Sequence, residues 1–170
     1  MTRVALCTAL LCACAYAVVP VPFSPAVLSL HTLAVNLTGL ILSPGQAVAT
    51  LGLYLLMGLV GLPVFSGGTG GPGKLLGPTG GYYFGFLLAA WAISRMKGRK
   101  SEPVRYFLVC LLVGLPLQHL CAIGMMCLHN GFQPMAAFLT VSAPFLLGDV
   151  VKCILAAFCG VSVCRALEGK

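Results

Sequence analysis

The chain has 170 residues, of which 59% are hydrophobic and 8% charged, and its mean hydropathy is +1.03. Soluble domains carry about 25% charged residues, so ten basic and three acidic side chains cannot cover a water-soluble surface of this size, and the composition specifies an integral membrane protein. The net charge of +7 does not indicate nucleic-acid binding, because the basic residues sit at the ends of apolar segments, as membrane orientation requires.

A spanning helix needs about 20 apolar residues, with roughly 17 as a lower limit. Met1-Thr2-Arg3, the apolar run to Cys14 and Ala15-Tyr16-Ala17 resemble a secretory signal, and Leu11-Cys12-Ala13-Cys14 approximates a lipoprotein site. The chain stays apolar beyond, however, so cleavage would release no exported domain. Residues 4–19 therefore read as an uncleaved first helix, stopped by Pro20 and Pro22. It carries Ala5, Ala9, Ala13 and Ala17, four apart on one face. Small residues at that spacing let helix backbones approach closely, either inside the bundle or against another membrane protein.

The second segment covers residues 26–42 and ends at Ser43-Pro44-Gly45; the third covers 46–62. Between the third and fourth, Pro63 to Gly80 reads as a long irregular connection, and eight of the fifteen residues 67–81 are glycine. Gly68 to Lys74 matches G-x-x-x-x-G-K. A phosphate cradle needs Ser or Thr next, to hold Mg²⁺, and here Leu75 follows. Leu75-Leu76-Gly77-Pro78 also cannot open a regular helix, because Pro78 blocks it. Connections this long are commonly functional or disordered. Val64, Phe65, Leu75, Leu76, Tyr82 and Tyr83 argue for an ordered lid over a small-molecule pocket, with a flexible outer loop as the alternative.

The fourth segment covers 81–96, a basic linker runs from Lys97 to Arg105, and the fifth covers 106–128 before a tight His129-Asn130-Gly131 turn. The sixth covers 135–163 and is interrupted by Pro144 and Gly148. Six spans put Arg3, Arg95, Lys97, Arg99, Lys100, Arg105, Arg165 and Lys170 on one side, and the positive-inside rule makes that side, with both termini, cytoplasmic. Lys74 and the glycine-rich connection then face outward. Asp149 and Lys152 share a helix face deep in the sixth span. Ionised groups there face the bundle interior or a watery cavity and mark function by default; a mutual structural ion pair is the alternative. The pair offers an acceptor and a donor to a polar ligand head or a carboxylate.

Acid–base catalysis has almost nothing to work with, since Glu102 and Glu168 are the other acids and both are cytoplasmic. His31 and Asn36 in the second segment, and His119 in the fifth, read as residues hydrogen-bonded across helices. No carboxylate neighbours the histidines in sequence, and no metal-ligand spacing occurs. The nine cysteines lie in apolar stretches without a C-x-x-C and read as small hydrophobes.

Three stretches carry a resemblance. Gly61-Leu62-Pro63-Val64-Phe65-Ser66-Gly67-Gly68, then Leu75-Leu76-Gly77-Pro78-Thr79-Gly80-Gly81-Tyr82 with Gly85-Phe86-Leu87-Leu88-Ala89-Ala90, and Pro144 to Lys152 closely resemble the BioY family, the biotin-binding S components of energy-coupling factor transporters. The resemblance covers roughly residues 1 to 165. It implies an all-α fold of six transmembrane helices in one domain, with the long glycine-rich outer loop between helices 3 and 4. It also implies capture and uptake of biotin across a bacterial-type plasma membrane, with no reaction and no cofactor of its own.

By matching position, Asp149 and Lys152 would be the polar recognition pair. Thr79, Gly80, Gly81 and Tyr82 would form the lid, Gly67 and Gly68 would also bind the ligand, and Phe65 would be an apolar wall. The face of Ala5, Ala9, Ala13 and Ala17 would dock on a transmembrane coupling subunit that works with two cytoplasmic ATPases; a homo-oligomer is the other assembly considered. His31 stands where the family usually has glutamine, in Ser29-Leu30-His31-Thr32, and Lys74 is either a partner of the biotin carboxylate or solvated. An S component for another vitamin, a membrane enzyme using Asp149, Lys152 or His31, and a purely structural assembly subunit are the competing readings.

Overall fold

A computed structural model of the chain describes residues 1–20, 27–98 and 100–168. The fold is mostly helical. Helix α1 spans Thr2–Cys14, α2 His31–Ile41, α3 Pro44–Leu59, α4 Pro72–Leu76 and α5 Gly81–Met96. Helix α6 (Pro103–Val109) runs through one π-helical stretch, Cys110–Gly114, into α7 (Leu115–Asn130); α8 spans Pro134–Val141 and α9 Leu146–Glu168. Two stretches, Pro103–Asn130 and Leu146–Leu167, are long and apolar enough to cross a membrane by length and composition, while α1, α2 and α3 are shorter apolar helices.

Several elements differ from the sequence-based reading. The first segment leaves the helix after Cys14, and Val18–Pro20 pairs antiparallel with Val27–Ser29. Consecutive β-branched valines and Pro20 favour extended backbone there. Ala26, the expected start of the second segment, lies outside the described residues, as do Arg99 and Lys170 of the basic cluster. The connection from α3 to α5 contains the one-turn helix α4, which holds Lys74. Pro72 at its N-terminus starts it, where a missing N–H costs nothing, and Gly77-Pro78 stops it. The sixth segment is two helices. Pro144 cannot donate to the carbonyl four residues back, and residues 142–145 form a turn between α8 and α9.

Helix α2 is the axis of the bundle, with nine buried residues, His31, Thr32 and the seven from Ala34 to Leu40. On one side it shares a core with α1, α3 and α5 through Leu11, Leu51, Tyr54 and Phe86; on the other it meets α6, α7 and α9 through Tyr106, Cys110, Leu115 and Cys153. Helix α2 ends where Lys97 Nζ donates to the carbonyls of Leu40 (2.6 Å) and Leu42 (2.7 Å), satisfying acceptors at its C-terminus. Outside, Leu6, Leu53, Trp91, Leu112, Leu120, Leu155 and Phe158 are exposed, while Asp149 and Lys152 are buried. An apolar exterior around a polar interior suits lipid as the solvent.

Helices α5 and α7 pack closely through glycine. Gly81 and Gly85 face α7, and a Cβ on Gly85 would lie 2.8 Å from Gln118 Cα. Gly85→Val should therefore overpack the contact at a cost of about 1–3 kcal/mol. A lower unfolding temperature in detergent, followed by a thiol-reactive dye reporting exposure of the buried cysteines, checks this.

Candidate functional site

One pocket opens at the end of the bundle where α9 begins. It encloses about 540 Å³, the solvent at its mouth included. Five segments line it. Ser29 and Thr32 come from the strand Val27–Ser29 and from α2, and Ser66 and Lys74 from the glycine-rich connection; Thr79, Tyr82, Tyr83 and Phe86 surround the start of α5, and Phe145, Asp149 and Lys152 come from the α8–α9 turn and α9.

Asp149 and Lys152 are held by local geometry. The turn at residues 142–145 opens α9 at Leu146, so Asp149 lies in its first turn, near the positive end of the helix dipole. Lys152 Nζ donates to Asp149 Oδ1 at 2.8 Å, both side chains being buried. Oδ2 of Asp149 lies 3.2 Å from Nε2 of His119. Absence of a neighbouring carboxylate in sequence thus misled: the fold brings His119 from thirty positions away onto the buried Asp149. A carboxylate only accepts, so Nε2 carries the proton, leaving Nδ1 to accept from the Ser142 hydroxyl at 3.0 Å. The Tyr82 hydroxyl sits 3.3 Å from the same Nδ1 and donates to the Val141 carbonyl.

The second histidine backs the opposite wall. His31 Nε2 is 2.8 Å from the Tyr54 hydroxyl and Nδ1 is 3.3 Å from Ser66 Oγ, with its ring stacked on Phe86 at 5.9 Å. Ser66 N in turn donates to the Tyr83 hydroxyl at 3.2 Å. Deeper in the bundle, Gln118 Nε2 donates to Asn36 Oδ1 at 3.3 Å and Asn36 Nδ2 to Cys153 Sγ at 3.4 Å. Among the described residues, no buried side-chain nitrogen or oxygen lacks a partner. Such completeness is what rigidifies a polar network in a low-dielectric interior.

Of the residues singled out in sequence, Asp149, Lys152, Lys74, Thr79, Tyr82 and Tyr83 meet in the lining. Phe65, Gly67, Gly68, Gly80 and Gly81 are not among the lining residues; they shape its surroundings. Phe65 is fully buried, its ring 4.3 Å from that of Tyr83, under Gly58, where any Cβ would overlap it. Gly67 and Gly68 have φ of 79° and 67°, and close a tight turn in which Phe65 N donates to Thr69 O at 2.8 Å. Gly67 N also donates to Ala15 O at 2.8 Å, tying the turn to the end of α1. Gly80 and Gly81 pack against the backbone of Leu75 and Cys121 with no room for a side chain. Ala5, Ala9 and Ala13 are exposed on α1, and Ala17 is exposed beyond its end, so the ladder is not internal packing.

Chemically, the pocket presents a paired anion and cation at its base, hydroxyls on several sides and aromatic faces from Tyr82, Tyr83, Phe86 and Phe145. Lys74 lines it too, and its ammonium makes no hydrogen bond or ion pair among the described residues. This set fits a small molecule with an apolar ring body, an N–H and C=O head, and a carboxylate. The lining residues to which sequence reasoning gave no ligand role are Ser29, Thr32, Ser66, Phe86 and Phe145. They come from separate segments, yet each lies in a stretch already quoted: Ser29 and Thr32 flank His31, Ser66 and Phe86 sit in the glycine-rich motifs, and Phe145 follows Pro144.

A family model for the BioY family matches residues 1–169. The chain is 31% identical over 179 residues to biotin transporter BioY2 of Lactococcus lactis, covering 99% of this chain and 91% of that protein. It is 34% identical over 151 residues to a probable biotin transporter BioY of Pyrococcus horikoshii (89% and 86% covered). It is 31% identical over 140 residues to biotin transporter BioY of Thermotoga maritima (82% and 81%). In three dimensions it matches the crystal structure of the S-component for biotin from an ECF-type ABC transporter, with a TM-score of 0.86 over 99% of this chain and 90% of that one, at 24% identity.

Removing one member of a buried ion pair strands the other, at a cost of about 3–5 kcal/mol, whereas removing both is far cheaper. Asp149→Asn and Lys152→Met should each lower the unfolding temperature of the unliganded protein more than the double substitution does. Thermal unfolding of the three purified variants decides it.

Proposed function

The chain belongs to the BioY family, and on that premise we propose that it captures biotin and carries it into the cell as the substrate-specific S component of an ECF-type transporter. The family consists of transporter components, not enzymes. The observation that carries the reading is the pocket itself, where Asp149 and Lys152 meet aromatic rings and the unpaired Lys74. Biotin's ureido ring has two N–H donors and one C=O acceptor. Asp149 accepts from an N–H, Lys152 donates to the C=O, and the sulfur-containing ring lies on Tyr83, Phe86 and Phe145. The valerate carboxylate reaches Lys74 in α4. The segment from Val60 to Gly80 acts as the lid, with Ser66, Lys74 and Thr79 facing the ligand.

Six spans are formed by α1, α2, α3, α5, the α6–α7 rod and α9, in a bacterial-type plasma membrane. Both termini lie in the cytoplasm, where the positive-inside rule puts the Arg3, Lys97, Lys100, Arg105 and Arg165 end. The biotin pocket then opens outward. The exposed Ala5, Ala9 and Ala13 supply a face flat enough for the backbone of a transmembrane coupling subunit, and two ATPases on that subunit supply the energy.

Purified full-length protein should bind radiolabelled biotin saturably, and no saturable binding sinks the proposal. Lys74→Met should weaken biotin roughly tenfold, the loss of one charged hydrogen bond, yet leave biotin methyl ester unchanged. For the docking face, Ala9→Trp should keep biotin binding and abolish co-purification with the coupling subunit; undiminished co-purification removes that face from consideration.

A further inference from the structure

His119 has no place in the contacts just assigned to biotin, yet its position beside the pocket is fixed from several directions. It is buried, lies behind the lining, and touches three elements at once. Nε2 reaches Asp149 of α9 at 3.2 Å, Nδ1 reaches Ser142 of the α8–α9 turn at 3.0 Å, and its ring meets Tyr82 of α5 edge-on at 5.7 Å. Asp149 is the pocket's anion, and its two oxygens are held separately, Oδ1 by Lys152 and Oδ2 by His119.

Lys152 alone would leave that carboxylate free to turn about its Cβ–Cγ bond, since an ammonium is a compact charge that accepts many approach angles. The imidazole N–H is directional. Holding Oδ2 on a second, fixed axis sets the plane of the carboxylate and so the direction of its remaining lone pairs. Ser142 fixes the imidazole in turn, by donating to Nδ1 and selecting the tautomer with hydrogen on Nε2.

We infer that His119 is a positioning residue of the ligand pocket, orienting the Asp149 carboxylate toward an N–H donor of the bound molecule and linking it to Tyr82 and the α8–α9 turn. The inference rests on the biotin reading. It assigns to His119 a role in affinity without contact with the ligand.

Glutamine and asparagine separate this role from bulk. The amide nitrogen of Gln can stand near the Nε2 position and keep a donor on Oδ2, whereas that of Asn falls near Nδ1 and leaves Oδ2 unheld. Biotin binding by purified full-length protein is measured for the wild type, His119→Gln, His119→Asn and His119→Phe, with the unfolding temperature of each unliganded protein alongside. The expected result is binding roughly 10- to 100-fold weaker for Asn and Phe, and recovery to within about threefold for Gln. Wild-type binding by the Asn variant overturns the inference. So does a folded Gln variant as weak as Asn. Where the Phe ring prevents folding, the Asn–Gln comparison carries the test. A wild-type protein that binds no biotin defeats the transport reading itself, an outcome distinct from either.

Discussion

Burying the carboxylate of Asp149 inside an apolar bundle is the constraint around which the pocket is organised. An isolated charge in such surroundings costs many kcal/mol, and a salt bridge offsets this only when further hydrogen bonds satisfy the remaining lone pairs. Lys152 occupies one oxygen and His119 the other. That second partner must itself be held, which Ser142 does, and Ser142 lies in the turn that Pro144 imposes between α8 and α9. The break in the last helix and the polarity of the pocket are thus one arrangement. The same turn starts α9 where Asp149 benefits from unpaired N–H groups, and Asp149 N donates to Phe145 O at 2.8 Å.

The opposite wall follows a similar logic with neutral groups. His31 links Tyr54 of α3 to Ser66 of the glycine-rich connection, so that connection is fastened from below by a buried imidazole. Phe65 drives its ring beside Tyr54 and Tyr83, which anchors the turn through Gly67 and Gly68 by apolar contact. Glycine there serves left-handed backbone and close packing, as at Gly58 under the Phe65 ring. The similarity of this run to a phosphate cradle is therefore one of composition: α4 is a single turn beginning at Pro72, and its lysine points into a pocket floored by an acid.

Much of this was readable in the amino-acid order, and the unread part has a common cause. Membrane character follows from scarcity of charge, and Asp149 and Lys152 share a face because of their i, i+3 spacing. The end of α7 at Gly131 follows from a glycine with φ 65°. What the order did not disclose are contacts between residues far apart. His119 meets Asp149, and Asn36 meets Gln118 and Cys153, through helix packing that no local pattern encodes. The short strands were hidden for another reason: Val18-Val19 suits an apolar helix and an extended strand equally, and only tertiary context decides between them.

The longest rod in the fold carries a phase problem of its own. Tyr106, Cys110, Gly114, Gln118, Ala122 and Met126 are buried and fall four apart. In an uninterrupted α-helix, five such steps would carry the stripe about 200° around the axis and turn its far end away from the bundle. The π-helical stretch Cys110–Gly114 takes up one extra residue, which recovers about 100°. Pro116, unable to donate to Leu112, makes that widened turn inexpensive. A five-residue irregularity thus acts as a rotational offset between the two halves of the rod. Its first half is set against α9, and its second half delivers Gln118 and the neighbouring His119 to the interior.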